Sequence, residues 1–340
     1  MNFPKQEFYQ YKPLLQLEHF EQLLNYIKNK VWFSRVSDLN DPFERNFKFK
    51  LPHIENIDSY NEYYTMMQNQ IPTLTKEKYD EDMKSLDFRE KFEGTTISNQ
   101  FRDHGILSLT KSPSNIPMWA HYANNHMGYC LIYEIDFQKI YEQMKAAYQK
   151  PDLERPYSED EFQVLLDNIL NPSTINSQDI LSFRIAIEDP DKRFIFGKVS
   201  YQDCIPSMNT LDLIKLKRDY YSSAQYLFKN SFGVKYKQWS YEKEYRLLVN
   251  ANSKECGLMD LKILPFIKIT GLILGQNIGK NLNKDASDFI SHASLNGFNF
   301  KGNTMEERVR EYITHKAEEH SIKIKTARCS SEKYEIIIEN

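Results

Sequence analysis

The sequence predicts an α+β fold: a mixed, mainly antiparallel central sheet with helical insertions. Three observations carry this. Strand-like runs such as Ile106–Thr110, Gly128–Ile135 and Glu244–Asn250 are spread along the whole chain. Two long stretches between them, about 54–104 and 137–190, read as helical. The last two strand-like runs alternate apolar and polar residues as an edge hairpin does. Neither an internal repeat nor a low-complexity linker divides the chain, so the expectation is one domain, 1–340, with those two insertions.

Taken in order, Leu17, Phe20, Leu23, Leu24 and Ile27 recur at helical spacing and predict a helix over about Glu18–Asn29. A short strand, Val31–Phe33, follows. Ser37–Pro42 reads as a turn, because Asp and Asn side chains bond their own backbone there and Pro42 keeps the preceding residue extended. The first insertion carries helical patches at Tyr60–Gln70 and Lys76–Phe92. Strand Ile106–Thr110 leads to a short helix, Ile116–Asn124, whose Pro117 suits the first turn because its missing N–H would be unsatisfied anyway. Gly128–Ile135 is apolar at most positions and predicts a central strand. The pattern from Phe137 to about Glu188 is helical. Phe194–Tyr201, Glu244–Asn250 and Ile269–Leu274 predict strands, and Thr210–Ser231, Asn281–Ser294 and Met305–Glu319 predict helices. Ile322–Ala327 and Tyr334–Glu339 form the closing hairpin.

Composition narrows the function classes. The 340 residues, 41% of them apolar, suffice for a large core. Forty-four basic against 47 acidic residues give a net charge of −3, which offers no reason for tight non-specific nucleic-acid or membrane binding. Cys130, Cys204, Cys256 and Cys329 form no CxxC pair, so neither a zinc cluster nor a disulfide scaffold is indicated. The N-terminus has no signal-peptide core and no apolar run reaches a membrane span of ~20 residues. A cytoplasmic protein is expected.

Three segments combine charged, hydroxyl and aromatic side chains. In Leu39–Glu44, Asp41 and Glu44 flank a turn stiffened by Pro42; capping alone can explain such residues. In Ile106–Gly128, Ser108 and Thr110 share one face of a strand, and Met118, Trp119, His121 and Tyr122 follow on a short helix. His121 and His126 are five apart, the wrong spacing for paired helical metal ligands. In Gln238–Leu248, a strand beginning by Glu242 would place Glu242, Glu244 and Arg246 on one side. Two neighbouring carboxylates whose repulsion raises one proton affinity are a recognised catalytic arrangement. A solvated edge strand is the structural alternative.

The order LNDPFE, SLT…MWAHYANNHMG, WSYEKEYRLL and ITGLILGQNI resembles a widespread bacterial family named only as a domain of unknown function, over most of the chain. The layout is also similar, more loosely, to an ADP-ribosyltransferase fold. That likeness sets Tyr11 and Lys12 at the opening ribose-binding position, Ser108–Leu109–Thr110 at the middle motif and Glu242–Lys243–Glu244 at the last, whose final Glu is catalytic. It implies NAD as substrate, Trp119 or Tyr122 as aromatic surface for nicotinamide, Ser108 as a ribose-orienting hydroxyl, and a nucleotide ligand with a protein or nucleic-acid acceptor. The sequence departs from that pattern: no His or Arg follows Tyr11, and Lys12 is a point charge where Arg is a planar fork.

The leading expectation is thus an NAD-dependent ADP-ribosyltransferase or NAD glycohydrolase serving bacterial stress or phage defence. Glu244 is the catalytic carboxylate and Glu242 tunes it. Arg246 is expected to pair with Asp41 or Glu44. Two other classes remain open. Asp41, Glu44, Glu242 and Glu244 could gather Mg²⁺ for a nuclease or other hydrolase with His121 as general base. A non-catalytic ligand-binding module would also use every motif structurally.

Overall fold

In the computed structural model, residues 2–35, 38–39, 41, 48–92, 104–147, 157–171, 179–184, 193–216, 220–250, 257–280, 282 and 286–340 are described. The strands among them are β1 Lys5–Lys12, β2 Lys30–Arg35, β3 Lys48–Lys50, β4 His104–Thr110, β5 Tyr129–Asp136, β6 Ile180–Arg184, β7 Arg193–Lys198, β8 Ser200–Gln202, β9 Ser207–Asn209, β10 Val234–Tyr236, β11 Glu244–Asn250, β12 Gly257–Asp260, β13 Ile267–Leu274, β14 Lys323–Cys329 and β15 Ile336–Glu339. One sheet orders them β15-β14-β13-β5-β1-β4-β11-β7-β6, with β2 and β12 attached beside β4. Its β13–β14 pair is parallel and its other pairs are antiparallel. The architecture is the mixed, mainly antiparallel α+β sheet that the sequence predicts.

Local chemistry explains the boundaries. The helix Met305–Glu319 starts on a capping box, with Thr304 and Glu307 each bonding the other's backbone N–H. The helix Glu159–Leu170 starts the same way on Ser158 and Glu161. Asn115 caps the helix Ile116–His121 by accepting from Met118 N. Among the described residues no helix is long and apolar enough to cross a membrane.

One face of the sheet is sealed. Helices Leu17–Ile27, Phe137–Ala147, Glu159–Leu170, Ala286–Leu295 and Met305–Glu319 send Phe20, Ile140, Phe162, Phe289 and Ile313 into one continuous core with Phe8, Leu109, Tyr133 and Leu247 from the strands. The opposite face carries two smaller apolar clusters. One holds Tyr11, Trp119, Cys130 and Ile273; the other holds Ile106, Ile195, Phe228 and Leu248. The candidate site lies between them.

Three readings of the sequence need correction. Ile180–Arg184 is a strand, not the end of a helical segment: ILSFR is a short apolar run, and periodicity cannot separate such a run from a buried helix. The helix expected over Thr210–Ser231 is not continuous. Thr210–Lys215 and Tyr220–Leu227 are separate α-helices, and Phe228–Phe232 is a π-turn. Glu242 does not open the strand. It ends a 3-10 turn, Lys237–Glu242, and Lys243 turns left-handed at φ 46° before β11 begins at Glu244. The period-two argument therefore does not reach Glu242.

Candidate functional site

The site starts from a split in the sheet. β4 pairs along its length with β11. On its other edge β2 takes Ile106 and Gly105, whereas β1 takes only Thr110. Between these pairings β1 and β2 diverge. The Gln10 side-chain amide crosses the gap and donates to Ser108 O at 3.2 Å, where a ladder bond would otherwise stand. A cleft of about 230 Å³ opens here, lined by residues of β1, β4, β11 and the Met118–Tyr122 segment.

Register fixes the polar face. Glu244 sits opposite Thr110, and Arg246 opposite Ser108, so the four side chains share one side. Glu244 and Arg246 are both buried. Arg246 Nε donates to Glu244 Oε1 at 2.8 Å and Nη2 to Oε2 at 3.0 Å, a two-pronged clamp. Arg246 Nη1 donates to Phe232 O at 2.6 Å. That carbonyl is set by the π-turn, a device that often re-aims backbone at functional positions. Gly233 makes the turn possible, since a Cβ there would lie 2.2 Å from the Phe228 ring.

Glu242 is also buried, and Lys235 joins it to Glu244. Lys235 Nζ donates to Glu242 Oε2 at 2.8 Å and reaches Glu244 Oε2 at 3.5 Å. It also sits 5.1 Å from the centroid of the Trp239 ring. The Tyr122 hydroxyl donates to Glu242 Oε1. Thr110 Oγ1 holds the Glu242 carbonyl at 2.6 Å, and Asn115 Nδ2 holds that of Tyr241 at 2.5 Å. The turn preceding β11 is thus tied to β4 and to the Ile116–His121 helix.

Electrostatics separates the carboxylates. Burial pushes Glu244 up, but Arg246, then Lys235 and hydrogen bonds from Arg246 and Ser108, outweigh it and hold Glu244 at about 2. Burial also pushes Glu242 up, and there it wins: Lys235 opposes it, while the Glu244 charge adds to it. Glu244 is therefore a fixed anion, and Glu242 is the group of the pair that binds a proton more readily.

The other expected site residues fall as follows. Ser108, Tyr122, Tyr11 and Lys12 line the cleft. The Tyr11 hydroxyl is committed, donating to Ser112 O at 2.8 Å and accepting from Asn115 N at 3.3 Å. Lys12 Nζ lies 5.7 Å from the Tyr26 ring centroid. Trp119 does not line the cleft. It is fully buried, donates to Pro113 O at 2.8 Å and stacks on His126, so it is core rather than a nicotinamide platform. His121 is exposed beside Tyr241 and does not line the cleft either. Asp41 is buried and stands outside the lining, although its neighbours Asp38 and Leu39 belong to it. Glu44 lies outside the described residues. Arg246 has Glu244 as a carboxylate partner, and the pairing expected with Glu44 falls outside the described residues. Among the described residues no group of three or more His, Cys, Asp or Glu could hold a metal ion.

Lys235 and Gln10 were missed. Lys235 carries no motif: it is one lysine in VKYK, and its role exists only because β10 runs beside the turn before β11. Gln10 is signalled weakly, as a polar residue inside the strand pattern FYQY.

No curated protein and no solved structure matches the chain. Residues 118–247 match the family model described as "Protein of unknown function (DUF2971)", which supports the domain-of-unknown-function family suggested by the motifs, and this stretch carries Tyr122, Lys235, Glu242, Glu244 and Arg246.

Proposed function

We propose that the cleft binds a nucleotide-type ligand and acts on its ribose, with NAD as the substrate, as an ADP-ribosyltransferase or NAD glycohydrolase would. The supporting observation is the pair Glu242 and Glu244, two buried carboxylates at the split of the sheet whose proton affinities are driven apart.

Cleavage of the nicotinamide–ribose bond passes through an oxocarbenium-like state. The bond's electron pair leaves on the pyridine nitrogen, which becomes neutral nicotinamide. A nucleophile, water or an acceptor group, bonds to the anomeric carbon and gives up a proton. In this reading Glu242 takes that proton, because its carboxylate is the more basic and meets the Tyr122 hydroxyl at the cleft wall. Glu244, clamped by Arg246, supplies fixed negative charge and holds Lys235 and Ser108 in place. Glu242 thus takes the leading role that the sequence reading gave to Glu244. A function in stress or phage defence belongs to the same proposal through the family resemblance alone.

The test is nicotinamide release from NAD by the purified protein, with water, protein and nucleic-acid acceptors. Glu242→Gln keeps shape and removes the charge, so it should lower release by at least ~100-fold, the scale of losing one preorganised electrostatic group. Absence of release by the wild type under every acceptor overturns the reading. Nucleic-acid cleavage that needs a divalent metal and stops on chelation would put the hydrolase reading in its place.

A further inference from the structure

The insertion after β3 gathers side chains that the cleft does not use. Its helices Ile57–Gln70 and Lys76–Lys84 meet through tyrosines. Tyr60 and Tyr64, four apart, share one face of the first helix. Tyr79 of the second lies against them, with ring centroids 4.9 and 5.1 Å away. Into this group points one ammonium. Lys76 Nζ lies 4.5 Å from the Tyr60 ring centroid and 4.8 Å from those of Tyr64 and Tyr79. It also lies 3.0 Å from Asp80 Oδ1 and 3.3 Å from Asn61 Oδ1. A single ring face attracts a cation; three rings and a carboxylate around one nitrogen make a cage for it.

The walls of the cage are held by contacts that do not involve Lys76. The Tyr79 hydroxyl donates to Tyr60 O at 2.9 Å, and the Tyr60 hydroxyl donates to Asp80 Oδ1 at 2.9 Å. Tyr60 and Tyr79 are buried in a cluster with Leu51, Tyr63, Met83 and Leu211. Lys76 differs from its walls. It stands in the first turn of its helix, and its side chain is 36% exposed. It is a tethered occupant of a preorganised receptor.

The chemistry of the cage selects what can displace that occupant. A primary ammonium is compact and strongly hydrated, so taking it out of water for three rings is costly. Methyl groups on the nitrogen lower that hydration and give the rings apolar surface, while the charge stays. A remaining N–H can still donate to Asp80.

We propose that Tyr60, Tyr64, Tyr79 and Asp80 form a binding site for an N-methylated ammonium group, with Lys76 as the resident occupant that it displaces. The site stands whether or not the cleft acts on NAD, because none of its residues lines the cleft.

Dimethylammonium is the probe, with binding to the purified protein followed by saturation-transfer NMR of its methyl protons. Isopropanol, similar in shape and uncharged, is the control. Apparent affinity scales with the vacant fraction of the site. If Lys76 fills the cage in about ten molecules of eleven, Lys76→Ala should tighten dimethylammonium binding about tenfold. Lys76→Ser serves the same purpose if the first variant does not fold. Isopropanol should bind the vacated cage at least about tenfold more weakly, since it lacks the charge that the rings attract. Tyr64→Ala in the Lys76→Ala background removes the half-buried wall and should weaken the probe about fivefold. A gain below about threefold on vacating the cage, isopropanol binding as tightly as the cation, or a gain that survives Tyr64→Ala would each overturn the site.

Discussion

The two sides of β1, β4 and β11 obey different rules. On one side Phe8, Leu109 and Tyr245 point into the continuous core, where Phe8 meets the Tyr245 ring edge-on at 5.2 Å and the Phe196 ring at 5.4 Å. On the other side, one residue along each strand, Thr110, Glu244 and Arg246 are packed almost as deeply, with Ser108 half-buried at the cleft. The first side is held by burial of apolar area, which has no direction and tolerates repacking. The second is held by named partners at fixed distances. Removing either Glu244 or Arg246 strands the charge of the other. Buried ionic groups are weak contributors to stability when compared with an apolar replacement. Their presence here, beside a cleft and at a gap in the hydrogen-bond ladder, is therefore better explained by use than by folding.

That contrast can be broken by mutation. Arg246→Ala leaves the Glu244 carboxylate buried without its clamp, and should cost about 3–5 kcal/mol, read by chemical denaturation. Glu244→Gln with Arg246→Met, which removes both charges, should restore most of that loss. On the sealed side Leu109→Met should cost less than ~1.5 kcal/mol. Equal losses for Arg246→Ala and Leu109→Met would erase the distinction between the sides.

A smaller effect is expected at Tyr122. Tyr122→Phe removes one hydrogen bond to Glu242, worth about 0.5–1.5 kcal/mol, so nicotinamide release should fall by about tenfold or less with the melting temperature nearly unchanged. A loss as large as that of Glu242→Gln would assign the proton transfer to Tyr122 instead.

A different readout is the pH profile of stability, where the two carboxylates act with opposite sign. Glu244, held at about 2 against an ordinary 4.5, contributes stability that is present above pH 4.5 and is lost as pH falls from there toward 2. Glu242, raised above 4.5, detracts from stability at neutral pH, and that penalty lifts as pH falls through its raised value. Glu244→Gln should flatten the acid limb below pH 4.5, and Glu242→Gln the slope above it. If both variants change the same limb, the division of roles between the two residues is wrong.

How much was legible follows from range. Local signals were strong where a single element writes its own pattern. The capping box at Thr304 and Glu307 marks the start of the Met305–Glu319 helix, and the span expected from sequence coincides with the structure. The same holds for β11, Glu244–Asn250. Signals failed where neighbours decide. The run Ile180–Arg184 is a strand because β7 pairs with it, and nothing local says so.

The sequence by itself determined the fold class, most helices and strands, and the two segments that carry Ser108, Tyr122, Glu242, Glu244 and Arg246 to the cleft. Residue type, period and turn chemistry act over a few positions, and these properties are written in them. Only the tertiary structure decided that Trp119 is core, that Arg246 clamps Glu244, and that Lys235 stands between the two carboxylates. It also decided which carboxylate is the more basic. Those facts depend on desolvation and on charges brought together from β4, β10 and β11, and the ordering of chain positions alone does not contain the distances that set them.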